Sequence, residues 1–213
     1  MNFKIFDNPI FNVLTRVCDI FILNVLWIVC SIPIITIGAS TTALYYSMLK
    51  INREADSSIT GMFFHSFFQN LKQGCGLTII YALSGFLLYV EFQLYNSMEG
   101  TLSNVLLIVI ILMFVVWGVM LSYSFPILAQ FDNTVIGTIK NSFLISFSHL
   151  KKTVIIIMLN AVIPLLLLVV PDIFFLCLPI WLTVGIAVVA FINSKLLVKV
   201  FDYYIEKDSE LVE

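Results

Sequence analysis

Apolar positions along this chain come in long unbroken blocks and not in stripes. Between the charged residues at 19 and 50, 72 and 91, 99 and 132, 152 and 172, and 172 and 195 there is no Asp, Glu, Lys or Arg. Each block has about the length that a helix needs to cross a bilayer core of about 30 Å. A helix in a soluble protein buries one apolar stripe and sets charge on the opposite face; five blocks without any charge do not fit that plan. The pattern predicts an all-α fold, a polytopic transmembrane helical bundle of about five spans, built as a single membrane domain over residues 1–213. Spans two to five are expected at about 75–96, 104–129, 153–170 and 173–194.

The first block is interrupted by Pro33 and Gly38, and Ser40 or Thr41 is placed to cap a new helix running to about Lys50. Two readings follow. Residues 17–37 cross once, which by parity leaves the N-terminus outside against the preference of Lys4 and Arg16, or the block is a broken hairpin with both ends inside. Two legs of some 14 residues, at about 1.5 Å per residue, reach only about 21 Å, and this favours the single crossing.

Two shorter segments switch to a helical period. Phe63, Phe64, Phe67, Phe68 and Leu71 alternate in pairs with His65, Ser66, Gln69, Asn70 and Lys72. Further on, Ile139, Phe143, Leu144, Phe147 and Leu150 oppose Lys140, Asn141, Ser142, Ser146, Ser148 and His149. Each reads as a cytoplasmic amphipathic helix lying in the interface on its Phe face, with its polar face toward water. Phe64, Phe68, Leu71 and Lys72 recur at one offset as Phe143, Phe147, Leu150 and Lys151, and each copy leads into a span. This suggests an internal repeat of about 60–96 and 139–170, an arrangement found in many transporters. The competing account is that any cytoplasmic loop needs such a lead-in. Gly74 and Gly76 read as a flexible joint between in-plane helix and span.

Composition narrows the class further. With 61% hydrophobic residues, 11% charged and a mean hydropathy of +1.06, the chain lies far from the globular norm of about a quarter charged. The first apolar run lacks a small-x-small cleavage site and reads as a retained span. A net charge of −2 argues against nucleic acid, whose phosphates call for a basic stripe. Lys and Arg are absent between Lys72 and Lys140 and between Lys152 and Lys195. The positive-inside rule then places segments 50–74 and 130–152 and the C-terminus in the cytoplasm, with the turns at 96–104 and 171–172 outside. The lipid bilayer is the one partner that composition dictates; oligomeric state is not legible.

No catalytic pattern appears: there is no Walker loop, HExxH, GxSxG or dinucleotide fingerprint. Catalytic, cofactor and metal sites are therefore expected to be absent. Cys18, Cys30, Cys75 and Cys177 are scattered through apolar runs and read as packing residues. His65 and His149 sit on polar helix faces, and with Gln69 and Asn141 they are the polar candidates for partner contact. Inside the spans Asn24, Asn160 and Asn193 are the polar candidates. Each is accounted for either by an interhelical hydrogen bond or by a functional pathway, and Pro164 frees a backbone carbonyl that the Asn160 amide could take.

The run Leu23-Asn24-Val25-Leu26-Trp27 leads to Pro33 and then to Thr36-Ile37-Gly38-Ala39-Ser40-Thr41-Thr42-Ala43-Leu44-Tyr45-Tyr46. With the helix at 63–72 and Asn193-Ser194-Lys195-Leu196-Leu197, these residues resemble the YesL family of bacterial multi-pass membrane proteins, whose function is unknown. The resemblance covers nearly the whole chain. It implies residence in the bacterial cytoplasmic membrane and an accessory role in carbohydrate uptake, in contact with the membrane or ATPase subunits of an ABC sugar importer. It brings no catalytic residues. The expectation is thus a non-enzymatic accessory protein. The alternative is a permease-like subunit lining a substrate pathway, against which the segment at 134–150 lacks the Glu-Ala-Ala start and following Gly of importer coupling helices.

Overall fold

The computed structural model describes residues 9–53, 58–96 and 101–210, and among them the fold is all helical, with no strand. Lys4, Ser57 and Ser97, which bear on the sidedness of the termini and turns, lie outside the described residues. Helix α1 (Pro9–Cys30) is followed by a 3-10 turn (Ile34–Thr36) and α2 (Ile37–Asn52). Then come α3 (Ile59–Gln69), α4 (Leu71–Asn96), α5 (Thr101–Gln130), α6 (Val135–Ser148), α7 (Leu150–Val169), α8 (Pro171–Ile180), a π-helical segment (Trp181–Gly185) and α9 (Ile186–Glu210). Four helices or helix runs are long and apolar enough to cross a membrane, in α1, α4, α5 and Pro171–Lys207. The pair α6 and α7, bent by 110°, adds a fifth if counted as one span. The chain is a polytopic helical membrane protein.

The first block differs from its predicted outline. Its helix begins before residue 17 and ends at Cys30, not at 37, because Pro33 has no N–H to continue the ladder. The Thr36 hydroxyl donates to the Cys30 carbonyl at 2.6 Å and so satisfies one of the acceptors that a helix end leaves open. The next helix starts at Ile37, ahead of the expected cap at Ser40 or Thr41, and Gly38 lies inside its first turn.

Helix α2 is the hub. It packs against α1, α3, α4, α5 and α9, and most of its 16 residues are buried. Its hydroxyls suit it to burial: Thr41, Thr42 and Ser47 each donate to the carbonyl four residues back, at 2.7, 2.8 and 3.0 Å. Its first turn is pressed onto α4. A Cβ on Gly38 would stand 2.3 Å from the Gly74 carbonyl oxygen, and one on Gly74 would stand 2.6 Å from the Ala39 nitrogen. Only glycine fits at either position, and the Gly38 N–H, unpartnered within its own helix start, donates to Thr78 Oγ1 at 2.9 Å. Gly74 is therefore a close-contact residue inside α4 and not the flexible joint expected of it. At its other end α2 is tied down by Arg53, which reaches Asp202 of α9 at 2.6 Å and Gln130 of α5 at 2.7 Å.

The first joint falls ahead of Gly74 and Gly76, where it is expected. A single residue, Asn70, separates α3 from α4, and a single residue, His149, separates α6 from α7. Asn70 and His149 stand at the same sequence offset as Phe64 and Phe143. The polar faces of α3 and α6 do not point wholly to water: Ser66, Asn70, Ser142 and Ser146 are buried in protein, while Phe64, Phe68, Phe143 and Phe147 are exposed. Ser66 accepts from the Asn70 amide, and Ser142 pairs with Ser124 of α5. Small hydroxyl residues let these short helices sit close to the bundle, so the side read as polar is partly the side that packs.

The C-terminal span is expected to stop near 194, yet α9 runs on without a break to Glu210. Lys195 and Lys199 lie within the helix and do not end it.

Candidate functional site

Asn24 is fully buried and meets the π-helical segment. Its Nδ2 donates to the Leu182 carbonyl at 2.7 Å, and its Oδ1 accepts from the Ala187 N–H at 3.0 Å. The two groups are five residues apart, the spacing of a π-helical bond, so the amide inserts where the ladder opens. The Trp181 ring lies over Gly185, where a Cβ would come within 2.0 Å of it. Glycine is thus required for the indole to fold back on its own helix. Asn24 has a structural role here, and it stands apart from the other two predicted intramembrane polar residues.

Asn160 and Asn193 do come together. The Asn193 amide donates to Asn160 Oδ1 at 2.9 Å and to the Tyr45 hydroxyl at 3.2 Å, and Asn160 donates to Ser122 Oγ at 3.1 Å. The Asn160 amide therefore turns toward α5 and α9, and not to the carbonyl freed by Pro164. Four helices, α2, α5, α7 and α9, are joined by this chain. One buried acceptor in it, Asn193 Oδ1, has no partner. An unsatisfied buried polar atom costs about 1–3 kcal/mol.

The chain borders a cavity of about 480 Å³ between α2, α4, α5 and α7, lined among others by Tyr45, Tyr81, Trp117, Ser122, Phe125 and Asn160. Tyr81 pairs with Ser124, and its ring packs edge-on to Trp117. Of the lining, sequence reasoning found only Asn160. Tyr45, Tyr81, Trp117 and Ser122 were missed, although one signal was present: Tyr81 and Asn160 are separated by the same offset as Phe64 and Phe143. The cavity offers hydroxyl and amide hydrogen bonds between aromatic walls, without a carboxylate, an ammonium or an imidazole. Among the described residues no three His, Cys, Asp or Glu side chains are grouped as a metal site would need.

The four predicted contact residues fall into three places. His65 and Gln69 are exposed on α3 next to Phe64 and Phe68, and the His65 ring lies 6.4 Å from Tyr46. Asn141 is half-buried and faces Asn133 Oδ1 at 3.5 Å. His149 is packed at the α6–α7 joint against the rings of Tyr203 and Tyr204, with its Nε2 buried and unpartnered. Burial, and then the neighbouring Lys152, hold this imidazole below its ordinary pKa of 6.5.

Residues 20–92, about a third of the chain, match a family model described as "Protein of unknown function, DUF624". The matched stretch holds Asn24, the Gly38–Gly74 crossing, α3 with its joint at Asn70, and the cavity residues Tyr45 and Tyr81. No curated protein matches the chain. No solved structure matches it either.

Proposed function

We propose that this chain is a non-enzymatic accessory protein of a bacterial carbohydrate uptake system, of the YesL type, set in the cytoplasmic membrane with its C-terminus inside. The observation that carries this reading is the exposed face of α3, where Phe64, His65, Phe68 and Gln69 present two aromatic rings beside two polar groups. Aromatic anchors flanked by hydrogen-bonding side chains are the usual core of a protein contact. The face sits at a joint between helices on the side that the Lys and Arg distribution assigns to the cytoplasm, where an importer's ATPase or membrane subunits would be met. We also read the α3–α4 and α6–α7 units as two copies of one structural repeat.

The test is photo-cross-linking from position 68 or 69 in cells growing on single carbohydrates. Recovery of an ABC importer subunit, together with a growth defect of the deletion strain on that sugar, is the expected result. Absence of any transporter component, with normal growth on every sugar, overturns it. The permease-like alternative draws on the cavity between α2, α4, α5 and α7. It predicts sugar flux into proteoliposomes containing this chain alone.

A further inference from the structure

We infer that this same cavity is a binding site for a neutral, largely apolar molecule that carries a carbonyl oxygen and enters from the membrane. Its volume of about 480 Å³ lies within the range of small-molecule sites, about 300–1,000 Å³. No Asp, Glu, Lys, Arg or His lines it. A charged ligand would find no counter-ion in a low-dielectric setting where that is costly. The polar groups are also too few to replace the water around a sugar's many hydroxyls. The inference is therefore independent of any transporter partner, and it argues that this cavity is not a sugar pathway.

What hydrogen-bonding capacity remains identifies the ligand's polar part. Thr41 donates to the Ile37 carbonyl and accepts from Trp27, Thr78 donates to the Gly74 carbonyl and accepts from Gly38, and Ser122 donates to the Gly118 carbonyl and accepts from Asn160. Two protons are left over. Tyr45 accepts from Asn193 and its own hydroxyl proton has no acceptor, and Asn160 uses one Nδ2 proton on Ser122 while the other is unspent. One Asn193 amide nitrogen holds both residues, so the side chains that carry the two free donors are neighbours. Two adjacent donors are matched by the two lone pairs of a carbonyl. The rings of Tyr81, Trp117 and Phe125, set at steep angles to one another, supply an apolar wall for the rest of the molecule. Ile34, 77% exposed, stands at the rim and gives an apolar approach. Tyr81 and Asn160, which stand at the same sequence offset as Phe64 and Phe143, both line the cavity, and sites between structural repeats are a recurrent plan in membrane proteins. Both an acyl ester of a membrane lipid and the ring carbonyl of a quinone have this chemistry.

The experiment uses the full chain, purified and delipidated in a nonionic detergent, with binding of three probes read by native mass spectrometry. The probes are dioleoylglycerol, a decyl-substituted benzoquinone, and squalene, which has no oxygen. The proposal expects saturable one-to-one binding of at least one carbonyl probe, and which one binds tells the ester from the quinone. Binding should weaken about tenfold in Tyr45→Phe and in Asn160→Leu, and vanish in Leu121→Trp, which fills the cavity and leaves the hydrogen bonds intact. Squalene should show no saturable binding in any variant. Helicity and thermal midpoint check that each variant is folded; Tyr45→Phe removes a single oxygen and serves if Asn160→Leu does not fold. If no carbonyl probe saturates, or if squalene binds as well as they do, or if Tyr45→Phe and Leu121→Trp leave binding unchanged in folded protein, the proposal is wrong.

Discussion

Helices α2 and α5 exchange the roles that a water-soluble fold would give them. The N-terminal half of α5, with Ile108, Ile111, Leu112 and Val115, is about as apolar as a helix can be and is exposed, whereas α2, with Gly38, Ser40, Thr42 and Ser47, is buried at the centre. Lipid tails are as apolar as leucine, so burial of α5's side chains against protein has no strong driving force. Close backbone approach and hydrogen bonds made inside the helix are what a bundle in lipid can build on. Position in this fold follows the size and hydrogen bonding of a side chain more than its hydrophobicity.

That contrast breaks most severely at the α2–α4 crossing. Gly38→Leu or Gly74→Leu drives a side chain into backbone and should cost about 3 kcal/mol or more, seen as lost membrane accumulation and a lower thermal midpoint. Gly118→Leu in α5, where nothing stands within 4 Å of the new Cβ, should be tolerated. Equal damage at positions 38 and 118 would remove the distinction.

Charge placement comes next. Ser66→Asp and Ser146→Asp bury an unpaired carboxylate and should each cost several kcal/mol, while Gln69→Asp and Ser148→Asp, at exposed positions, should leave the yield of folded protein unchanged. A smaller loss is expected for Asn24→Leu, about 1–2 kcal/mol for its two hydrogen bonds in lipid, with faster amide exchange confined to residues near 181–187. The reverse order, with Asn24→Leu the worst, would place the weight of the fold on the π-helical segment and not on α2.

The smallest effect is a pH dependence at His149. Its folded pKa is lowered by burial and by Lys152, so as pH falls below about 6.5 the unfolded chain takes up the proton first and the folded state loses stability, whereas above that range both forms are neutral and nothing changes. The difference in thermal midpoint between the wild type and His149→Gln should be constant above pH 7 and shift against the wild type below pH 6. A wild type that gains stability on acidification relative to His149→Gln would reverse the sign.

Much of the outer frame is legible in the amino-acid order because the length of a charge-free run decides whether a helix can span. The helices α4, α5 and α7 lie within a few residues of their predicted limits, and Pro33 does end a helix run. The interior is less legible. Ser66 and Ser146 look like solvated residues on an amphipathic helix because periodicity records which side is polar and not what that side faces. Gly74 looks like a joint because a glycine needed for close approach and one needed for flexibility are the same letter. The cavity is assembled from α2, α4, α5 and α7, far apart in sequence. Only Asn160 announced itself there, as an amide inside an apolar run; Tyr45 and Tyr81 are indistinguishable by type from interfacial tyrosines.

The central claim is that α2 is enclosed by protein while α5 faces lipid, and lipid-soluble carbene footprinting of the chain in proteoliposomes tests it most directly. Photolysis of a diazirine dissolved in the bilayer, followed by residue-resolved mass spectrometry, should label residues 108–115 of α5 at least about tenfold more than residues 42–44 and 47–49 of α2, which neighbouring helices bury. Comparable labelling of the two helices would contradict the account.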